Sequence, residues 1–151
     1  MLTRTELRSW LEVIEGTRAL LNALDRQLRT EAGMSHDDYE ILSRLYREPG
    51  HVMRMADLAS RVGYSPSRLT HAAARLERQG LVRRSRSAVD RRGIETVLTD
   101  LGVDRVRDAS VGHFDQVRHI VFDTLGPDRV RQLGAAMSDI RRAAQSQARH
   151  C

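Results

Sequence analysis

Ten arginines fall between positions 52 and 92, at 54, 61, 68, 75, 78, 83, 84, 86, 91 and 92. They face three acids there, Asp57, Glu77 and Asp90, for a net charge of +7. The other residues hold fifteen arginines and seventeen acids, a net of −2, so the overall charge of +5 sits in one segment. No lysine occurs anywhere in the chain. A guanidinium donates two parallel hydrogen bonds from a planar fork, a geometry that grips phosphates and the O6/N7 edge of guanine. The arginine total reads as a composition bias, since arginine also replaces lysine far from this segment. The clustering is the signal: a local positive field of this kind is the electrostatic footprint of a duplex-DNA binder.

The elements that must position these arginines can be read from caps, breakers and periodicity. A short helix is expected over 56–62, with Gly63 making a tight turn. Ser65 is the N-cap of the next helix and Pro66 its first residue, where a missing N–H costs nothing. That helix runs to Gln79, and Gly80 supplies a left-handed stop. With Leu69, Ala72, Ala73 and Leu76 facing inward, the outward stripe is Ser67, Arg68, His71 and Arg75, with Thr70 beside it. In a helix-turn-helix the N-terminal half of this second helix enters the major groove. Arg68 and Arg75 are therefore the candidates to read guanine, and a good bidentate pair discriminates by about 1–3 kcal/mol. Ser65 leaves first-turn N–H groups to meet a phosphate. Ser67 and Thr70 suit phosphates or base edges, while His71 divides evenly between a DNA contact and a solvated side chain. The competing fate for the two arginines is an exposed ion pair with Asp57 or near Glu77.

Two strand-like runs follow, 81–85 and 94–98, with Ile94, Thr96 and Leu98 alternating in the second. Between them lies the charged tip SRSAVDRRG. This is a β-hairpin wing. Arg92 is expected in the minor groove, where a lone arginine senses width and negative potential. Arg84, Arg86 and Arg91 are candidate backbone contacts. Asp90, an anion, cannot favour DNA directly, and its expected role is to hold a tip arginine by a bidentate pair.

Long helices flank this module. The first is expected over 5–31, with Leu7, Leu11, Ile14, Leu21, Leu24 and Leu28 on one stripe. Gly33 ends it, and Ser35 caps a second helix with Asp38 in the capping-box position and Asp37 favouring the positive helix end. Glu48-Pro49-Gly50 is a break, and 51–54 is a short extended piece. After the wing, Thr99 caps a helix expected over 100–125, and Gly126-Pro127 separates it from a last helix. Val130, Leu133, Met137, Ile140 and Ala144 form a narrow seam there. These stripes are too continuous to be filled by the small central module, so the terminal helices are expected to pack with a second copy as a two-fold dimer. The fold class is thus mainly α with a small β-hairpin wing, a winged helix-turn-helix core flanked by long dimerisation helices. The expected division is 35–99 for DNA binding and 1–34 with 100–151 for dimerisation.

The order of elements, the segment DLASRVGYSPSRLTHAAARLERQGLVRR and the hairpin run DRRGIETVLTDLG resemble the MarR family of winged helix-turn-helix transcription regulators. The D-x-R-[AGS] wing signature stands here as Asp90-Arg91-Arg92-Gly93, followed by the junction Leu98-Thr99-Asp100-Leu101-Gly102. The resemblance covers nearly the whole chain. It implies an obligate homodimer built from the terminal helices, a bacterial or archaeal cytoplasm with the protein on the nucleoid, and repression of a pseudo-palindromic operator relieved by a small molecule. It further implies an anionic aromatic effector in a cleft between the dimer helices and the winged module, for which Trp10, His36, Tyr39, His113 and Arg118 are the nearby candidates. A structural role is the plainer expectation for Trp10, as an interface residue, and for His113.

Other classes are disfavoured. The sequence lacks a glycine-rich phosphate loop, a nucleophile elbow, a thiol centre and paired carboxylates, so an enzyme is not expected. The six histidines show no metal-ligand spacing, and no cofactor or metal is expected. Peroxide-sensing relatives use a cysteine near the N-terminus, whereas the one cysteine here is Cys151. No apolar run approaches a membrane span, and a soluble intracellular protein is expected. An effector-independent architectural DNA binder and an activator are the rival functions.

Overall fold

A computed structural model describes residues 1–86 and 93–148. The chain forms two compact units, Met1–His113 and Phe114–Cys151. The first begins with α1 (Arg4–Ala32), opened by a capping box in which Thr3 and Glu6 satisfy each other's backbone N–H groups. Gly33, at φ 64°, closes α1 in the left-handed region that glycine enters without strain. Only the last turns of α1 reach the core: Leu24 and Leu28 are buried, while Leu7, Trp10, Leu11 and Leu21 stand half-exposed.

Helix α2 (His36–Arg47) starts at Ser35, whose hydroxyl accepts from the Asp38 N–H. Ile41, Leu42 and Leu45 of α2 are wholly buried, and around them pack Leu58 and Val62 of α3 (Met55–Val62) and Leu69 and Leu76 of α4 (Pro66–Arg78). Gly63 turns the chain between α3 and α4 at φ 70°. The buried side of α4 is the expected set, Leu69, Ala72, Ala73 and Leu76.

The hairpin gains a third strand. The expected extended piece is β1 (Val52–Arg54), which pairs antiparallel with β3 (Ile94–Leu98), itself paired with β2 (Val82–Arg86), giving the order β1-β3-β2. Val52 faces Val97 across one ladder and Val82 faces Leu98 across the other. Thr96 and Leu98 are buried as alternation requires, but Ile94 is 51% exposed, because the outer end of β3 runs past the core. Thr99 then caps α5 (Asp100–Val117): its Oγ1 accepts the Gly102 N–H at 3.1 Å and donates to carbonyls of the α4–β2 junction.

The second unit differs in detail from a plain helix pair. The continuous helix expected over 100–125 gives way at Arg118–Phe122 to a π-helical segment, a widened turn that shifts the side-chain stripe. Helix α6 (Asp123–Ala148) is broken at Gly126 (φ 74°, ψ 162°), just before Pro127, as the Gly-Pro pair requires. Leu133, Met137 and Ile140 of its seam are exposed within this unit. No helix among the described residues is long and apolar enough to cross a membrane.

His113 adds a testable pH response. Its ring lies 4.4 Å from that of Tyr39 and 6.1 Å from that of His36. Burial first, and then the positive charge of His36 and Arg47, hold it below its ordinary value of 6.5. The unfolded chain therefore binds this proton at a higher pH than the folded chain, and stability rises with pH across that window. Urea midpoints are expected to fall as the pH drops from 7.5 through 6.5 and below, and to lose part of that slope in His113→Gln. An unaltered slope would contradict the assignment.

Candidate nucleic-acid interface

Helix α4 carries its polar stripe to the surface. Ser65, Ser67, Arg68, Thr70, His71 and Arg75 are all exposed. Ser65 does not leave the first turn entirely open, because its Oγ accepts the Arg68 N–H at 3.3 Å and lies 3.3 Å from the Ser67 hydroxyl. Thr70 donates its hydroxyl proton to the Pro66 carbonyl at 2.9 Å, so in this arrangement it offers lone pairs rather than a proton. That suits a base amino group better than a phosphate. His71 stands on the same exposed face.

The two arginines that are candidates to read bases are paired, but not with the acids that proximity in sequence pointed to. Arg68 donates to Asp37 Oδ2 at 2.7 Å and lies 3.8 Å above the Tyr64 ring. Arg75 donates to Asp38 Oδ1 at 2.5 Å. Asp57 takes neither, and Glu77 is occupied by Arg84. Both partners come from the first turn of α2, so this helix start holds the outer face of α4. The Asp38 carboxylate serves that ion pair rather than the reciprocal half of a capping box.

Arg84, a candidate backbone contact, is held against α4: its Nε and Nη2 both donate to Glu77 Oε2, at 2.9 and 2.7 Å, and its N–H donates to Glu77 Oε1 at 2.8 Å. The Arg84 side-chain contact, followed by its backbone N–H, lowers the Glu77 carboxyl from its ordinary value. The physical reason is reach: β2 emerges beside the last turn of α4, which brings Arg84 to the Glu77 carboxylate. Arg84 thus fixes the base of the wing to the reading helix. Arg86 is exposed at the outer end of β2. Asp90, Arg91 and Arg92 lie outside the described residues.

The Arg75–Asp38 pair is asymmetric, with side-chain exposures of 44% and 10%. Removing the cation strands a nearly buried carboxylate, whereas removing the carboxylate leaves an arginine that water can solvate. Arg75→Ala is expected to destabilise the fold by about 1–3 kcal/mol in urea titration. Adding Asp38→Asn to that variant should restore part of the loss, and a double variant weaker than Arg75→Ala would contradict the pairing.

Beside this pair lies a cavity of about 560 Å³, lined by Asp25, Arg29, His36, Asp37, Asp38 and Arg75 among others. Of the effector candidates, His36 lines it, His113 lies 6.1 Å from His36, and Tyr39 packs on His113. The Tyr39 hydroxyl is 3.0 Å from that of Ser110. Trp10 is 52% exposed on α1, and Arg118 belongs to the second unit, where its guanidinium lies 5.9 Å from the Phe122 ring.

Comparison with known proteins decides the class. The MarR family model matches residues 34–94, the span from α2 through the start of β3. The solved structure of Sco3205, a MarR family transcriptional regulator from Streptomyces coelicolor in complex with DNA, is 40% identical, covers 95% of this chain and 90% of its own, and superposes with a TM-score of 0.91. The chain belongs to the MarR family. AbsC, another MarR family transcriptional regulator of Streptomyces coelicolor, is 36% identical over 97% of this chain and 98% of its own, at a TM-score of 0.91. NadR in complex with 4-hydroxyphenylacetate shares the fold at 22% identity and a TM-score of 0.71, covering 86% of this chain and 89% of its own. No curated protein sequence matches. This MarR protein is therefore a DNA-binding transcription regulator with a winged helix-turn-helix fold, not an enzyme. The residues that the sequence missed are Asp37, Asp38 and Tyr64. The adjacent acids were visible as a charged helix start, but nothing in their spacing assigned them to α4.

Proposed function

We propose that this chain acts as a homodimeric, sequence-specific repressor of a pseudo-palindromic operator, released by a small anionic aromatic ligand. The observation that carries the reading is the outer face of α4, where Ser67, Arg68, Thr70, His71 and Arg75 share one exposed surface. Arg68 and Arg75 read bases, Arg86 and the tip arginines Arg91 and Arg92 hold the backbone and minor groove, and Asp90 orients the tip. Ser65 sets the start of the reading helix, and Arg84 anchors the wing. Dimerisation is supported by apolar stripes left exposed on each unit: Leu7, Trp10, Leu11 and Leu21 on α1, and Leu133, Met137 and Ile140 on α6. Soluble monomers rarely leave stripes of this kind bare.

An effector is supported by the cavity beside α4. His36 lines it together with Arg29 and Arg75, and an anionic ligand would take a guanidinium from Asp25 or Asp38, with which these two arginines are paired. The ligand of NadR is of that chemistry. Trp10 and Arg118 are further proposed contributors in the assembled dimer. Selection of duplexes from a random library with the purified chain, followed by sedimentation of the complex, tests the proposal. An enriched inverted repeat with half-sites about one helical turn apart, carrying two chains, is expected. Enrichment without a motif, or one chain per selected site, would contradict it.

A further inference from the structure

The α4 arginine nearest the groove is held by two side chains from outside its helix. Arg68 is the third residue of α4, in the half that enters the major groove. Its guanidinium lies over the Tyr64 ring, 3.8 Å from the ring centre, and donates to Asp37 at 2.7 Å. Tyr64 sits in the turn between α3 and α4, and Asp37 in the first turn of α2, so the cradle joins three elements. The Tyr64 hydroxyl is buried without a hydrogen-bond partner among the described residues, and its ring face carries Arg68. Burial, then Asp37, push that phenol far above its usual range. Burial works to raise the Asp37 carboxyl, yet the Tyr64 hydroxyl and Arg68 together carry it below its ordinary value. Arg68 thus bridges the Tyr64 ring and the Asp37 carboxylate.

Two opposed consequences follow. A ring face and one carboxylate oxygen fix the plane and the reach of a guanidinium that would otherwise sample many rotamers, and they leave its other N–H groups to meet a base edge. At the same time Asp37, about half exposed, is an anion beside the phosphates. It lowers affinity for any DNA while sharpening the choice among sequences.

We infer that Asp37 and Tyr64 are specificity-determining positioning residues: they orient Arg68 so that it discriminates at one base pair of each half-site, at the expense of general affinity. This rests on the reading of α4 as the groove-entering helix. Acids that restrain a contacting arginine raise selectivity because a wrong base leaves a fixed donor unpaired, whereas a loose arginine finds another partner.

The test measures the full-length protein, with wild type, Asp37→Asn, Asp37→Glu, Tyr64→Leu and Arg68→Ala, against the selected operator, all single-base changes in one half-site, and random duplex. Arg68→Ala first identifies the base pair that Arg68 reads. Asp37→Asn is expected to lose most of the discrimination at that base pair alone, within the 5- to 150-fold that one bidentate contact supplies (about 1–3 kcal/mol). Its affinity for random duplex should rise by about two- to fivefold, the scale of a screened surface charge. Asp37→Glu should recover part of the discrimination, and Tyr64→Leu should lose it without the gain on random duplex. Asp37→Asn in the Arg68→Ala background should alter no base preference. A uniform loss at every position, or unchanged preference in Asp37→Asn, would overturn the inference. If Tyr64→Leu does not fold, Asp37→Asn decides, since its carboxylate lies at the surface and outside the core. An operator whose preferences ignore Arg68→Ala would instead overturn the underlying reading of α4.

Discussion

Arg68→Ala is expected to weaken operator binding by about 5- to 150-fold and random duplex by no more than about two- to fivefold, the scale of one screened surface charge. Ser65 and Pro66 fix where α4 begins, so Arg68 falls in its first turn on the exposed stripe. A guanidinium there can make two parallel bonds to guanine, and its loss removes that discrimination without touching the core, because the inward residues are Leu69, Ala72, Ala73 and Leu76. The pair with Asp37 is exposed on both sides and adds little to folding, so the melting temperature should stay near that of wild type. Competition anisotropy with operator and scrambled duplex, accompanied by thermal melts, checks this. An equal loss on both duplexes would mean that Arg68 serves only as a phosphate contact.

The largest stability effect is expected at Gly102, the glycine of the junction between wing and α5. A Cβ there would lie 2.2 Å from the Leu81 carbonyl oxygen and 2.6 Å from Leu98 Cδ1. That carbonyl cannot give way easily: it already accepts from the Thr99 N–H at 3.1 Å and from Thr99 Oγ1 at 3.1 Å. α5 must therefore lift off the sheet or the wing base must shift. Gly102→Ala is expected to cost about 3 kcal/mol, at the upper end for overpacking, and to lower the melting temperature by about 6–12 °C. Gly112→Ala is the control. Its new Cβ would meet the Glu31 carboxylate and the Gln27 amide, which are ends of flexible side chains. It should cost clearly less. Equal melting of the two variants would show that the wing junction is not tightly packed.

These cases mark which parts of the structure were legible in the chain. Caps and stops at Ser35, Gly63, Ser65, Gly80 and Thr99 act through bonds to neighbours a few residues away, and each lies where local chemistry put it. The buried side of α4 followed from 3.6-residue periodicity alone. Pairings across the fold were a different matter. Asp37 and Arg68 are 31 residues apart, and Asp38 and Arg75 are 37 apart, so only the packing of α2 on α4 brings them together. Arg84 shows the same limit. A positive charge in a basic hairpin suggests DNA, but Glu77 lies within reach once β2 leaves α4. The π segment was equally hidden, because Phe114, Val117, Val121 and Leu125 keep helical spacing straight through the widened turn.

The claim on which the rest depends is that the arginines of α4 and the wing choose among duplex sequences and do not merely neutralise phosphates. The most direct measurement is a titration of the full chain against its selected operator and a scrambled duplex of equal length, over a series of salt concentrations. Operator binding tighter than scrambled binding by at least about a thousandfold near physiological salt, with both affinities falling as salt rises, is the predicted result. Equal affinity for the two duplexes across the series would contradict it.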